Sequence, residues 1–95
     1  MAGLDPLIHA PTRLQLVAML SGVSEAEFAT LRAELDVSDS VLSKHVSALV
    51  AAGYLHSRKG VHAGRRTTWV GLTPVGRQAL REHVAAVRQL IDAVE

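Results

Sequence analysis

Cysteine is missing from these 95 residues. Without thiols there is no disulfide framework, thiolate metal site, redox switch or cysteine nucleophile. Long apolar runs are missing too: none approaches the ~18–20 residues that span a bilayer. Met1–Pro6 holds no charged stretch leading into an apolar one, so no secretory leader is expected. The signature of disorder is absent, because 48% of the residues are hydrophobic and the formal net charge is only +1. No Gly-x-Ser-x-Gly elbow, Walker loop or paired-carboxylate cleft is visible, so no catalytic residue, enzymatic activity or cofactor is expected. The length suits one domain over residues 1–95. The chain reads as soluble and cytoplasmic.

A net charge of +1 argues against a strongly basic binder of nucleic acid, but only until the charges are located. Residues 1–39 carry Arg13 and Arg32 against Asp5, Glu25, Glu27, Glu34, Asp36 and Asp39. Residues 40–81 carry Lys44, Arg58, Lys59, Arg65, Arg66, Arg77 and Arg81 with no acid at all. Residues 82–95 return to acid excess, with Arg88 against Glu82, Asp92 and Glu95. Seven cations in an acid-free stretch make a local footprint for a polyanion. The plain alternative is chance clustering on a solvated face.

Asp5-Pro6 reads as a capped helix start, and Pro11 repeats the signal. A short turn over Pro6–Ala10 and a longer helix over Thr12–Leu20 follow. That helix has one apolar face of Leu14, Val17, Ala18 and Leu20, and a second of Leu16 and Met19. Two faces in so small a domain suggest that another chain covers one of them. Glu25–Ala29 is ambiguous between a brief strand and a helix entry. Ala29–Leu35 has helical spacing, and Asp36-Val37-Ser38 makes a tight turn. Ser38 then caps a third helix over residues 39–52, with Leu42, Val46 and Leu49 inward and Gly53 as its stop.

Beyond Gly53 the period becomes strand-like. Tyr54–Lys59 and Thr67–Leu72 are expected strands joined by an exposed loop, Gly60–Arg66. The whole hairpin occupies about 54–72. Thr73-Pro74 opens a last helix over about 74–94. Its apolar residues Leu80, Val84, Val87, Ile91 and Val94 follow 4-3-4-3 spacing, a coiled-coil seam. A helix of about 20 residues extends ~30 Å, the diameter of a small domain. It would overhang such a core unless a partner covered it, so a homodimer is expected. The plain alternative is packing against the first helix of the same chain.

This order of elements has a use. A turn that sets one helix across another makes the second project, and a projecting helix fits the major groove of B-DNA. The stretch Val37-Ser38-Asp39-Ser40-Val41-Leu42-Ser43-Lys44-His45-Val46-Ser47 through Gly53-Tyr54-Leu55 resembles the recognition-helix pattern of bacterial MarR-like and ArsR-like winged-helix regulators. The opening His9-Ala10-Pro11-Thr12-Arg13-Leu14, the wing Gly64-Arg65-Arg66-Thr67-Thr68 and Leu72-Thr73-Pro74-Val75-Gly76-Arg77 carry the same likeness. It covers nearly the whole chain. Singly these motifs are weak; in this order and spacing they are strong. Two departures stand out: Val50 and Ala51 where charged residues are usual, and Trp69 where a smaller aliphatic is common.

The resemblance implies a mainly α fold with a small β-hairpin (α+β), a winged helix-turn-helix with dimerisation helices at both ends. It further implies a homodimer on a pseudo-palindromic double-stranded operator. The candidate DNA-binding residues are Ser38, Asp39, Ser40, Ser43, Lys44 and Ser47 on the helix. On the wing they are Arg58, Lys59, His62, Arg65, Arg66 and Thr67. His45 reads as a packing histidine. Arg13 is expected to pair with an acid or anchor the first helix, and Arg77 and Arg81 to meet phosphate or a partner's acids. His9, His56, His62 and His83 lack metal-ligand spacing, so no metal is expected. Two other readings stay open: a winged-helix module for protein–protein contact, docking through Val50-Ala51, and a regulator gated by a metal or small-molecule effector. The sequence gives the effector no support, since the extra helices that enclose a ligand pocket in longer MarR-type proteins are missing.

Overall fold

The computed structural model describes residues 3–94. Met1 of the expected domain and Glu95 of the acidic tail lie outside the described residues. The elements run α1 (Pro6–His9), α2 (Pro11–Leu20), β1 (Ala26–Glu27), α3 (Phe28–Leu35), α4 (Asp39–Ala51), β2 (Leu55–His62), β3 (Arg65–Leu72) and α5 (Pro74–Ala93). The ambiguous stretch after residue 25 is both things, a two-residue strand that runs directly into a helix. The strands form one antiparallel sheet in the order β1-β3-β2.

The starts of α1, α4 and α5 follow the chemistry of their caps. Asp5 Oδ1 accepts from the backbone N–H groups of Leu7 (2.9 Å) and Ile8 (3.4 Å). Ser38 Oγ accepts from Val41 N–H, and Thr73 Oγ1 from Gly76 N–H. These caps satisfy N–H groups that a helix cannot satisfy internally. Gly76 is also the point where α5 crosses closest to the chain: a Cβ there would lie 2.0 Å from the Tyr54 carbonyl oxygen.

The core consists of Leu16, Val17, Leu20, Leu31, Leu42, Val46, Leu49, Leu55, Val70 and Leu72. Leu16 is as fully buried as Val17 and Leu20, and Met19 packs against the same cluster. Helix α2 touches α1, α3, α5 and β3, so its own chain covers the Leu16 and Met19 face, while on the other face Leu14 is half-buried and Ala18 is exposed.

A correction concerns the hairpin. The seven-residue loop is absent, because β2 and β3 extend until only Ala63-Gly64 joins them. Both turn residues have positive φ, 52° and 78°, which the right-handed twist of a two-residue hairpin demands. Glycine accepts this freely, while alanine carries about 1 kcal/mol of strain. Arg65 and Arg66 therefore begin a strand.

The α5 seam divides. Leu80 packs against the core and Val87 is half-buried, whereas Val84, Ile91 and Val94 are exposed, the last two at 50% and 84%. The stripe that α5 turns inward is Gly76, His83 and Ala86, beside the seam. The overhang shows in the dimensions. The chain extends 51 × 25 × 21 Å, and its radius of gyration is 14.2 Å, against about 12 Å for a compact chain of this length. Among the described residues, no helix is long and apolar enough to cross a membrane.

Candidate nucleic-acid interface

Helix α4 is held from behind. Leu42, Val46 and Leu49 lie at i, i+4 and i+7 and are buried, so the opposite side carries Ser40, Val41, Ser43, Lys44, Ser47 and Val50, all exposed. His45 sits between the two sides, and its Nδ1 accepts from Arg13 Nε at 3.0 Å. Arg13 thus anchors α2 to α4 through a histidine, without an acid. Burial, with the Arg13 charge beside it, pushes the His45 pKa down, which keeps the ring neutral and able to accept.

Two of the predicted residues have local partners. Ser38 is the N-cap of α4, and its hydroxyl also lies 3.2 Å from that of Ser40. Asp39 pairs with Arg32 at 2.6 Å. That contact neutralises Arg32, ties α3 to α4 across the tight turn and places a carboxylate at the helix start, where the macrodipole favours it.

Strand alternation divides the wing residues. Leu55 pairs with Leu72 and Ser57 with Val70, on the face that continues the core. The same face then carries Lys59 opposite Thr68 and Val61 opposite Arg66. Lys59 Nζ donates to Thr68 Oγ1 at 3.1 Å. This face and α4 bound a trough lined by Phe28, Asp39, Ser43, Ser47, Ser57, Lys59 and Thr68. It continues toward the tip past Val61 and Arg66. Hydroxyls and an ammonium at its middle, with a guanidinium toward the tip, can hold an anionic strand.

The other face carries Arg58, His62, Arg65, Thr67 and Trp69. Arg58 forms a two-pronged bond to Glu25, Nε–Oε2 at 2.8 Å and Nη2–Oε1 at 2.7 Å. The bond holds the Glu25 carboxyl below its ordinary pKa and raises that of Arg58. His62 Nε2 lies 3.4 Å from Glu27 Oε1, and Thr67 Oγ1 donates to Glu27 Oε2 at 3.1 Å. Trp69 has the Arg58 guanidinium 5.5 Å from its centroid and the His62 ring edge-on at 5.6 Å. Gly60 makes room for it, since a Cβ there would meet the indole at 2.9 Å. Thus the structure brings Lys59 and Arg66 to the trough with Ser43 and Ser47, and turns Arg58, His62 and Arg65 away from it, while Thr67, bonded to Glu27, borders its tip end. Sequence reasoning missed Val41, Ser57 and Thr68. Counting by twos from Leu55 and Leu72 finds the last two.

Two further cations of the basic stretch, Arg77 and Arg81, are employed locally. Arg77 donates to the carbonyls of Ser21 and Val23 at 3.1 and 3.2 Å, clamping the turn after α2. Arg81 donates to Gln78 Oε1. Among the described residues, Lys44, Lys59, Arg65 and Arg66 have no carboxylate in ion-pairing range. Nor do three potential metal ligands come together among them. His83 is buried at 1% exposure, its Nδ1 accepting the Asp5 N–H at 3.0 Å. The Asp5 carboxylate also accepts from Tyr54 Oη at 2.6 Å, which raises the Tyr54 pKa.

A helix-turn-helix followed by a two-stranded wing, with a basic trough between, is the architecture of winged-helix DNA-binding proteins. Residues 12–91 match the family described as the winged helix DNA-binding domain, and the chain belongs to that family. An uncharacterized protein of Methanocaldococcus jannaschii is 28% identical over 89 residues, covering 94% of this chain and 97% of its own. The transcriptional regulator homologue from Pyrococcus horikoshii OT3 superposes with a TM-score of 0.87 at 25% identity, over 94% of this chain and 88% of that one. A MarR family transcriptional regulator from Silicibacter pomeroyi gives 0.68 at 27% identity, over 93% of this chain and 58% of that one. The protein is a small MarR-like winged-helix regulator.

Proposed function

We propose that the protein works as a homodimer on a pseudo-palindromic double-stranded operator, with one α4 per half-site. The observation that carries this reading is the trough. The outward side of α4, the Lys59–Thr68 pair and Arg66 border a single channel, and its one acid, Asp39, is neutralised by Arg32. With α4 in a major groove and the wing in the neighbouring minor groove, the sugar–phosphate strand between those grooves runs along that channel. Lys44, Ser40 and Ser43 face base edges, and the exposed Val41 suits a thymine methyl. Lys59 and Arg66, which line that channel, meet phosphate. The exposed part of the α5 seam pairs with its counterpart in a second copy, which sets two α4 helices one DNA turn, ~34 Å, apart.

The test is a mobility shift at low salt on random-sequence duplex, followed by selection of bound genomic fragments. A shift that enriches inverted repeats supports the proposal. No shift at any salt refutes DNA binding and leaves a protein–protein module as the reading to pursue.

A further inference from the structure

We infer that Glu25 and Glu27 are positioning residues for DNA binding, which brace the wing against the helix-turn-helix from the side away from the trough. The inference rests on the DNA-binding reading above. Arg58, His62 and Thr67 then serve the brace and do not touch phosphate.

The placement of β1 carries the argument. Glu27 ends a two-residue strand that pairs with β3 (Ala26 with Val70, Glu27 with Trp69) and continues without a break into α3. Helix α3 is tied to α4 by the Arg32–Asp39 pair. A carboxylate on β1 is therefore fixed to the unit that presents α4. From that base Glu25 reaches Arg58 on β2 with two bonds, while Glu27 reaches Thr67 on β3 and His62 at the end of β2. Trp69 lies between Arg58 and His62. Both strands of the wing are thus held to β1, and through it to α4. A single exposed ion pair is worth little, but two-pronged geometry and a network are the exceptions.

Charge points the same way. Around β1 this face holds two carboxylates, Glu25 and Glu27, and the one guanidinium there, Arg58, is bound to Glu25, a poor surface for phosphate. The opposite face offers Lys59 and Arg66 near no carboxylate but the neutralised Asp39. The acids thereby select which side of the wing meets DNA.

Glu25→Gln with Glu27→Gln separates this from simple electrostatics. Removing two acids from a DNA-binding protein should tighten binding if they act only through their field. If they hold the wing, binding weakens by about fivefold to tenfold, the cost of ordering one or two side chains in the complex. The slope of log K against log[salt] then stays the same. In the free protein, acrylamide quenching of Trp69, the single tryptophan, rises as the wing loosens. The charge swap Glu25→Arg with Arg58→Glu restores the pair at constant net charge and recovers most of the affinity and the quenching.

Equal or tighter binding by the double glutamine variant overturns the inference, and so does unchanged quenching. A swap that fails to recover and loses about 0.9 from the salt slope also overturns it, because Arg58 then contacts phosphate. If the wild type binds no duplex, the DNA-binding reading falls, and the quenching series alone judges the brace. Thermal melts accompany every variant. Should the double variant fail to fold, Glu25→Gln alone and the swap decide.

Discussion

Lys44 and Arg66 are both exposed cations, yet their surroundings assign them different work. Arg66 stands at the wing's end of the trough, which the proposed docking sets against the DNA backbone. Arg66→Ala should weaken binding to all sequences alike and lower the salt slope by about 0.9. Lys44 projects from α4 among short hydroxyl side chains, so Lys44→Ala should change the ranking of sequences, by ~1–3 kcal/mol at the affected base pair. Binding measured on a panel of single-base variants separates the two; a uniform loss from Lys44→Ala would move that residue to the backbone. His45 makes a different prediction. Its pKa is lowered in the folded protein, so the unfolded chain takes up the proton first. The stability it contributes is complete above the ordinary histidine value of ~6.5 and is lost as pH falls through the lower folded value. His45→Asn keeps an acceptor for Arg13 and removes the titration. Its melting temperature should fall less than that of the wild type between pH 7.5 and 5; parallel curves would show that His45 carries none of the acid sensitivity.

The elements differ in how far the sequence announces them. Caps and prolines mark the starts of α1, α2, α4 and α5, because those signals act within one helical turn and each partner is a near neighbour. The inward line of α4 is legible for the same reason. The ends of the hairpin strands are not, since Val61 is the one strong strand former between Gly60 and Gly64. What extends β2 is pairing with β3 and the Ala63-Gly64 turn. The split of the wing residues between two faces follows from that pairing register. Glu25 and Glu27 were hidden for another reason: they lie about thirty to forty residues from Arg58 and Thr67, and no local pattern reports a contact at that distance. The covering of α2 is likewise a tertiary fact. The α5 seam is legible as a pattern, but only the structure shows that Leu80 serves the core while Val84 and Ile91 stay open. A charge at either open position tests the seam without disturbing that core. Val84→Glu or Ile91→Glu should sediment as a monomer, keep its melting behaviour to within about 0.5 kcal/mol and lose operator affinity at least tenfold. A dimer at micromolar concentration in both variants would refute the seam.

On the scale of the whole molecule, a net charge of +1 describes no surface the protein presents. Lys59 and Arg66 line the trough and Lys44 stands on the exposed side of α4, while Glu25 and Glu27 occupy the opposite side of the wing and Glu82 and Asp92 lie along α5. Binding should therefore be strongly electrostatic. With Lys59 and Arg66 from each protomer as candidates for phosphate, the slope of log K against log[salt] should reach about 3–4 in magnitude, ~0.9 per phosphate neutralised. A flat salt titration would sink this account of the surface. The strand order β1-β3-β2 has a consequence in time. The β2–β3 hairpin closes over a two-residue turn, a microsecond event. β1 meets its partner only by closing the loop from Ala26 to Val70, whose entropic cost must be met before the pairing gives anything back. During synthesis β1 is made well ahead of Val70 and has no strand partner until β3 has followed it out of the ribosome. The same ordering governs opening: the two residues of β1 are the natural place for local unfolding to begin. The wing should then pass through loosened states while the helices keep their fold, and hydrogen exchange at Ala26 and Glu27 would report how readily it does so.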